Sequence, residues 1–584
     1  MCGIIGISVS EKALESAANA EFMVNSLRHR GPDSQTCTSF RKIILGHTRL
    51  AIRELSGAAD QPIQRADAAL VYNGEIYNDD TLRRSLDLQT TSTGDTETVL
   101  QVLRKHGADG VAKLDGMFAL AFLPDINGHT LILARDRFGQ KPLYYGIVND
   151  CFVFASEMRA ILALPNFQPK LSAQGVSAFL QCEYTPDPLT CIEGIQELAP
   201  GHCLHVNLDT MSTRLEPYWL PGQVVADGES AKPVDTFGAA VSKTEELLTA
   251  TVRSHLVSDV PVGVLLSGGI DSALIAALAG QESSEITCFT MGFEDSRFDE
   301  TEHAVAVAKH LGMRHHIETV SSDNVQSAIA GVLDHLDQPF ADVSIFPTSL
   351  LSKLVGTEVK VALGGDGGDE VFAGYEPFSV WNKGRWMHRL LGQTGLSGLA
   401  QKLVAGGVPR EGYMPLRYKL QVALRGAKYP DALRLHAFTA GWMPDQLRSV
   451  TRGELRQAVD NQYWLKTLET EWQRDPDMSQ LQRLGRQFRR TFMPGAILRK
   501  TDSASMMHSL ELRAPLLDPQ LVAFAETLPD KWLRGKRVLK ELAKPLLPKG
   551  IIERKKQGFS VPVYSWLKDG PLSDLLAEIP ESSF

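Results

Sequence analysis

Short apolar segments separated by turns follow one another through the first part of the chain. The clearest of them span 43–46, 69–72, 118–122, 130–134 and 152–155. Apolar runs of this length between turn-forming residues are typical of β-strands. The pattern predicts a sheet-rich α+β domain over residues 1–215.

Strand-like and helix-like patterns alternate in the second part of the chain. Apolar segments at 262–266 and 286–291 precede helical patterns at 272–279 and 300–311, and a further strand candidate spans 359–363. Such alternation predicts an α/β domain, a parallel sheet with helices on both faces that binds ligands beyond the carboxyl ends of its strands. Beyond Tyr375 the pattern is mostly helical. A Gly- and Pro-containing stretch indicates a linker at 216–235, which leaves 236–584 for this domain.

Composition narrows the class of protein. The 584 residues exceed what one core usually holds, and 43% apolar with 22% charged residues is ordinary for a soluble globular protein. The net charge of −9 gives no reason to expect a nucleic-acid partner. No apolar run approaches the roughly 18–20 residues that span a bilayer, so no membrane insertion is expected. The seven cysteines form no Cys-x-x-Cys pair, which favours a cytoplasmic location.

Cys2 is the first candidate for chemistry. Removal of Met1 would leave one residue that carries both a thiol and the α-amine of the chain. An α-amine has a reference pKa near 7.7–8.0, so a neutral fraction is available to take the thiol proton. The residue is therefore a candidate nucleophile that needs no separate histidine.

Five short motifs follow one another along the first part of the chain, and the first of them contains Cys2. They are Met1-Cys-Gly-Ile-Ile-Gly6, Arg28-His-Arg-Gly-Pro-Asp33, Gly46-His-Thr-Arg-Leu50, Tyr72-Asn-Gly-Glu-Ile-Tyr77 and Gly94-Asp-Thr-Glu97. Their order and spacing resemble the N-terminal-nucleophile glutaminase domain. The resemblance implies an αββα sandwich in which Cys2 attacks the side-chain amide of glutamine, with Asn73 and the Gly74 N–H as the oxyanion hole. It further implies that Arg49 holds the α-carboxylate and that Glu75 and Asp95 bind the amino end. The implied glutamine site comprises Arg49, Leu50, Ala51, Ile52, Arg53, Asn73, Gly74, Glu75 and Asp95.

Two glycine-rich segments follow apolar strands in the second domain. The first, Leu265-Leu-Ser-Gly-Gly-Ile-Asp-Ser272, leads into a helix, whose N-terminal N–H groups favour phosphate. No Gly-Lys-Ser/Thr follows it, so the usual P-loop is excluded. The second, Gly364-Gly-Asp-Gly-Gly-Asp-Glu370, brings carboxylates to the same edge, and carboxylates beside phosphate suggest Mg²⁺.

The first of these segments resembles the pyrophosphate loop of enzymes that cleave ATP to AMP and pyrophosphate. The resemblance implies a Rossmann-like ATP-pyrophosphatase domain, with Asp271 and Asp369 as magnesium ligands and Asp366 at the acyl group. Arg554-Lys-Lys-Gln-Gly-Phe-Ser560 resembles the segment whose lysine, here Lys556, stabilises charge in the active centre. The implied ATP site comprises Leu266, Ser267, Gly268, Gly269, Asp271, Ser272, Met291, Gly292, Gly364 and Gly365.

Together the motifs resemble the glutamine-hydrolysing asparagine synthetase family over nearly the whole chain. The family implies the reaction of aspartate, glutamine, ATP and water to asparagine, glutamate, AMP and pyrophosphate through β-aspartyl-AMP. The expected partners are therefore glutamine, ATP with Mg²⁺, and a small carboxylate, with aspartate favoured. The resemblance leaves a homodimer open.

The second glycine-rich segment departs from the best-known members of the family, which have SGEGSDE there. Gly364, Asp366 and Gly368 replace a serine, the glutamate and a second serine, and Gln338 stands where an acidic residue is usual. Another carboxylate, such as a sugar uronic acid in surface-polysaccharide biosynthesis, is therefore an alternative acceptor. A non-catalytic binding or regulatory protein is a remote alternative, because Cys2 and the other site residues are intact.

Overall fold

The computed structural model describes residues 2–9, 13–222, 232–294, 299–320, 322–375 and 429–554, together with 378, 381 and 424–426. The strands of the first domain are β1 (Gly3–Ser8), β2 (Ser34–Ser39), β3 (Ile43–Arg49), β4 (Ile63–Arg65), β5 (Ala68–Ile76), β6 (Gly116–Leu123), β7 (Thr130–Arg135), β8 (Tyr144–Val148), β9 (Cys151–Ala155), β10 (Ile195–Glu197), β11 (His202–Asn207) and β12 (Thr213–Pro217).

These strands form two six-stranded antiparallel sheets that pack face to face. One has the order β10-β8-β9-β1-β3-β2 and the other β12-β11-β7-β6-β5-β4. Ile4, Val71 and Phe154 belong to one buried cluster that draws side chains from both sheets. Successive side chains of a strand point to opposite faces of the sheet. Each sheet therefore also has an outer face, whose apolar side chains must be shielded from water.

Helices cover the two outer faces. Ile5 packs in a cluster with residues of helix Ala13–Ser26, and Tyr72 packs in another with residues of helix Asp95–His106. The layers run helix, sheet, sheet, helix, which confirms the predicted αββα sandwich. The other helices of this domain are Asp79–Ser85, Met158–Leu162 and Ala173–Cys182.

The second domain is built on a five-stranded parallel sheet with the order β15-β14-β13-β16-β17. Its strands are β13 (Val262–Leu265), β14 (Thr287–Phe293), β15 (Arg314–Val320), β16 (Val361–Leu363) and β17 (Glu511–Arg513). The chain runs from β13 to β14 and β15 on one side and then returns to β16 on the other. The switch point therefore lies between β13 and β16, where ligands bind in open parallel sheets.

Helices lie on both faces of this sheet, as predicted. Val264 packs with residues of helix Ile270–Glu282, whereas Phe289 packs with residues of helix Ile345–Glu358. The remaining helices up to residue 371 are Phe237–His255, which precedes β13, and Thr301–Leu311, Ser322–His335 and Gly368–Val371, which follow β14, β15 and β16.

The part of the chain after residue 429 is mainly helical, again as predicted. Its helices are Asp431–Thr439, Pro444–Val450, Gly453–Asn461, Tyr463–Gln473, Gln480–Arg490, Arg499–Met506, Pro519–Thr527, Asp530–Leu533, Arg537–Ala543 and Lys549–Ile552, with a π-helical turn at Met493–Leu498. Within the described residues, no helix has both the length and the apolar character needed to cross a bilayer.

A buried ion pair joins the two domains. Both Nη atoms of Arg30 donate to Asp502, at 2.9 and 3.2 Å, and Nη1 also donates to Glu157 at 2.7 Å. Lys141 Nζ lies 3.3 Å from the same aspartate. The side chain of Arg30 is fully buried, and that of Asp502 is 3% exposed. Because a buried charge is costly unless it is paired, this contact constrains how helix Arg499–Met506 sits on the first domain.

We predict that Asp502→Ala strongly destabilises the protein. The substitution removes one carboxylate from a buried guanidinium, and breaking a buried pair in this way typically costs about 3–5 kcal/mol. Calorimetric melting of the purified variant should show a clearly lower transition temperature. Asp445→Ala, which changes an exposed aspartate, serves as the control and should melt like the parent. Equal melting of the Asp502 variant and the parent would contradict the prediction.

Candidate active sites

Cys2 lies at the start of β1, within the first sheet, and is partly exposed. Its backbone N–H donates to Asn73 Oδ1 at 2.9 Å, and its carbonyl accepts from Arg30 Nε at 3.1 Å. Burial raises the pKa of the Cys2 thiol. The backbone of Cys2 is therefore held on both sides, and its thiol needs a base before it can act as a nucleophile.

Asn73 and Gly74 follow each other on β5, next to the nucleophile. The Asn73 side chain is buried, and its Nδ2 has no hydrogen-bond partner among the described residues. A buried donor without an acceptor destabilises the folded protein, so this atom is suited to bind a ligand that supplies a hydrogen-bond acceptor. A Cβ at position 74 would lie 2.2 Å from the Met117 carbonyl oxygen, so only glycine allows this approach of the strands. The structure thus brings the two predicted oxyanion donors together beside Cys2.

The predicted glutamine-binding loop leaves the end of β3. Arg49 Nη1 donates to the Ser56 carbonyl at 2.8 Å and to Asp60 at 2.7 Å, so its guanidinium is already oriented. Leu50 and Ile52 place their side chains in the large apolar cluster shared with the second domain. Only the backbone groups of these two residues are therefore available to a ligand.

The acidic end of the site is fixed by neighbouring donors. Asp95 Oδ2 accepts from Tyr72 Oη at 2.8 Å and from the Ile76 N–H at 3.0 Å, although burial raises the pKa of the Asp95 carboxyl. Arg53 Nη1 donates to Glu75 at 2.8 Å. Arg513 from β17 also reaches Glu75, at 3.3 Å, and so the second domain contributes to the first site. The sequence alone assigns no role to Arg513, because its partner Glu75 lies far away along the chain.

The first glycine-rich segment follows β13 and caps helix Ile270–Glu282. Ser267 Oγ lies 2.8 Å from Ser272 Oγ and accepts from the Gly269 N–H at 3.2 Å, which closes the loop on itself. Met291 and Gly292 lie near the end of the neighbouring strand β14, at the same edge of the sheet. The sequence-predicted ATP residues therefore converge on the switch point.

The second glycine-rich segment follows β16 and touches the first. A Cβ at Gly365 would lie 2.9 Å from the Ser272 nitrogen, and one at Gly368 would lie 2.6 Å from Asp271 Cγ. Glycine at both positions lets the two segments approach closely. Gly364 lies at the start of the same loop, where its N–H donates to the Arg513 carbonyl at 2.8 Å.

Asp271 and Asp369 meet at a single cation. Lys536 Nζ contacts a carboxylate oxygen of Asp271 and lies 2.6 Å from Asp369 Oδ1. The lysine is 5% exposed, and a Cβ at Gly374 would lie 2.0 Å from its Cε. Two carboxylates that share one cation are an oxygen donor set of the kind Mg²⁺ prefers, so these residues fit the ion. No sequence motif pointed to Lys536, whereas a buried lysine between two acids is a clear structural signal.

Asp366 lies in the same loop, and its side chain contacts helix Arg499–Met506 in the C-terminal helical part of the chain. Its Oδ2 accepts from Thr501 Oγ1 at 2.9 Å, and burial raises the pKa of its carboxyl. The adjacent Lys500 donates to Ser344 Oγ at 3.0 Å and lies 3.5 Å from Asp342 Oδ2. A cation and an anion thus lie side by side next to the predicted acyl position.

Lys556 lies outside the described residues, and its predicted place in the site stays a prediction. Arg554, two residues earlier, donates to the Gly268 carbonyl at 3.0 Å and pairs with Glu300. The last described residue, Arg554, therefore contacts the candidate pyrophosphate loop.

One helix contacts both candidate sites. In helix Arg499–Met506, Thr501 bonds to Asp366 in the second domain, whereas Asp502 holds Arg30, which bonds to the carbonyl of Cys2. The two centres are therefore physically connected through adjacent residues.

Comparison with known families agrees with this geometry. A model of the asparagine synthase family matches residues 243–583, and one of the glutamine amidotransferase domain matches residues 1–219. The chain is 30% identical to asparagine synthetase [glutamine-hydrolyzing] 1 of Bacillus subtilis, with 97% of the chain and 88% of the relative covered.

Two further relatives widen the comparison. A putative asparagine synthetase [glutamine-hydrolyzing] of Mycobacterium bovis is 29% identical, with 98% of the chain and 89% of the relative covered. Amidase chyE of Penicillium rubens is 28% identical, with 94% of the chain and 86% of the relative covered. On the family match and the near-complete coverage, this chain belongs to the asparagine synthase family and is a glutamine-hydrolysing ligase.

Proposed function

We propose that this enzyme converts aspartate to asparagine, with glutamine as the nitrogen donor and ATP cleaved to AMP and pyrophosphate. The observation that carries the proposal is the helix Arg499–Met506, which contacts a nucleophile site through Asp502 and an acyl site through Thr501. A chain that only hydrolysed glutamine would have no use for the second site. The aspartate acceptor and the roles of individual residues belong to this proposal.

The first half-reaction releases ammonia. Cys2 Sγ attacks the amide carbon of glutamine, while the α-amine exposed by loss of Met1 takes the thiol proton. The developing oxyanion accepts hydrogen bonds from Asn73 Nδ2 and the Gly74 N–H. Collapse of this intermediate, with transfer of that proton from the α-amine to the departing nitrogen, expels ammonia and leaves a thioester. Water then hydrolyses the thioester to glutamate and restores the thiol.

The glutamine itself is held at its charged end. Arg49 binds the α-carboxylate in a two-pronged contact, and its present contacts with the loop orient the guanidinium for this task. Glu75 and Asp95 bind the α-amine. Backbone groups of the loop 50–53 complete the site, because the Leu50 and Ile52 side chains are committed to the core.

The second half-reaction activates and amidates the acceptor. A carboxylate oxygen of the acceptor attacks the α-phosphorus of ATP, and pyrophosphate leaves. Ammonia then attacks the acyl carbon, and AMP leaves. Asp366 is suited to take a proton from the attacking ammonia, since burial raises the pKa of its carboxyl. Lys556 would stabilise the charge on the acyl adenylate.

Mg²⁺ held by Asp271 and Asp369 would offset the charge of the departing pyrophosphate. Lys536 already shows that this pair of carboxylates accommodates a cation between them. Lys536 would have to leave its position between the two carboxylates for the ion to bind there.

The charge pattern beside Asp366 favours an amino acid as the acceptor. Lys500 and Asp342 offer one cation and one anion 3.5 Å apart. These match the α-carboxylate and α-ammonium of aspartate, whereas a uronic acid has a single charged group. A uronic acid stays the second candidate because positions 364, 366 and 368 depart from the usual motif.

A screen of acceptors tests the proposal directly. The enzyme receives glutamine, Mg²⁺-ATP and aspartate, glutamate or glucuronate, and both pyrophosphate and the amidated product are measured. We expect aspartate to be preferred over glutamate by about 10–200-fold in kcat/KM, the usual effect of one methylene. Faster product formation from glucuronate would overturn aspartate as the acceptor.

We predict that Cys2→Ala abolishes glutamine-dependent synthesis but retains synthesis from ammonium chloride. The variant lacks the nucleophile, while the second site lies in a different domain. Asparagine formation is measured with each nitrogen source. Cys37→Ala, at an exposed cysteine, is the matched control and should retain both reactions. Equal loss of both reactions in the Cys2 variant would show that the sites are not separable.

We predict that Asp271→Asn and Asp369→Asn each lower pyrophosphate formation by about 10²–10³-fold, with much less effect on glutamate release. Both substitutions keep the side-chain shape but remove a metal-binding charge, and electrostatic stabilisation of this kind has that magnitude. Rates are measured over a range of Mg²⁺ concentrations, with Asp445→Asn as the control. Near-normal rates with unchanged Mg²⁺ dependence would instead identify the two aspartates as structural.

A further inference from the structure

Three potential metal ligands meet at the boundary between the domains, beside the Arg30–Asp502 ion pair. His29 belongs to the short turn Arg28–Arg30, and Glu157 follows β9, whereas His335 ends helix Ser322–His335 of the second domain. His29 Nε2 lies 3.0 Å from Glu157 Oε2, and His335 Nε2 lies 3.8 Å from the same oxygen. One ligand atom from each residue lies within 4.8 Å of the others.

These distances suit a tetrahedral ion. With metal–ligand bonds near 2.0–2.2 Å, the ligand atoms of a tetrahedral zinc site lie about 3.3 Å apart. The two distances to Glu157 lie on either side of this value. Two imidazoles and one carboxylate also form a ligand set that is common for zinc and that leaves one position open.

One ring nitrogen of His335, the histidine from the second domain, lacks a hydrogen bond among the described residues. Within the described part of the chain, the buried Nε2 of His335 has no hydrogen-bond partner. A buried polar atom in that condition calls for an unseen partner such as an ion or water.

Two arginines near Glu157 oppose a cation, and each has a counter-charge of its own. Arg30 Nη1 lies 2.7 Å from Glu157 but also 2.9 Å from Asp502. Arg159 Nε lies 3.3 Å from Glu157 but 3.1 Å from Asp337. Asp502 and Asp337 therefore offset part of the positive charge of the arginines, although Asp502 also pairs with Lys141.

A cavity provides the fourth position. It has a volume of about 40 Å³ and is lined by Glu157 and His335, with Ser156, Thr185 and Asp337 among its other walls. A single water needs about 10–15 Å³ on this measure, so an aqua ligand fits. The polar walls offer this water further hydrogen bonds.

We propose that His29, Glu157 and His335 form a zinc-class metal site that fastens the two domains to each other, with water from the cavity as the fourth ligand. Because the ligands come from both domains, the ion binds only when the domains are docked. Its role is structural and separate from the Mg²⁺ expected at the pyrophosphate.

Cobalt substitution tests this site in the full-length protein. Co²⁺ is added to chelator-treated Cys2→Ala protein without nucleotide, so that the reactive thiol does not compete. We expect one Co²⁺ per chain with the intense visible absorption of tetrahedral cobalt, its displacement by Zn²⁺, and a higher melting temperature. Oxygen ligands at the Asp271–Asp369 site would give only the weak colour of octahedral cobalt.

Substitution of a ligand locates the ion. His335→Gln in the same background should weaken Co²⁺ binding by about tenfold or more, since even outer-shell changes cost 10–100-fold. His310→Gln, at an exposed histidine of helix Thr301–Leu311, is the control and should bind normally. The proposal would be overturned if the Cys2→Ala parent lacked the tetrahedral cobalt spectrum. It would also be overturned if His335→Gln and His29→Asn in that background both left the spectrum unchanged.

Discussion

The buried pair of Arg30 and Asp502 is the contact on which the arrangement of the two centres depends. A guanidinium without solvent must be satisfied by protein atoms, and here those atoms come from both domains and from the backbone of Cys2. The same arginine therefore orients the carbonyl of Cys2 and fixes the position of helix Arg499–Met506 on the first domain. Neither domain could shift by much without leaving a charge unpaired.

Much of this fold and part of each site could be predicted from the sequence. Apolar segments fixed the strands, and glycine-rich loops after β13 and β16 marked the switch point because their backbone geometry is local. The contributions of Lys536, Arg513 and His335 could not be predicted in this way. Each meets partners that are distant along the chain, so tertiary packing rather than any short pattern creates the contact.

One of the two unusual glycines of the acyl loop, Gly368, has a packing reason in this chain. A Cβ at position 368 would lie 2.6 Å from Asp271 Cγ, so a serine there would displace the Asp271 carboxylate from its present position. The spacing between Asp271 and Asp369, and hence the seat of Lys536, depends on that closeness. The position of the Asp271 carboxylate beside the acyl loop therefore depends on glycine at position 368.

Adjacent residues of one helix, Thr501 and Asp502, face the acyl loop and the nucleophile turn. Thermodynamic linkage then applies to the two sites through this helix. A ligand whose binding moves the helix alters the affinity of the other site for its own ligand, and binding of that second ligand alters the affinity for the first by the same factor. Wherever acceptor binding shifts this helix, glutamine affinity changes with it, and glutamine binding then changes acceptor affinity by the same factor.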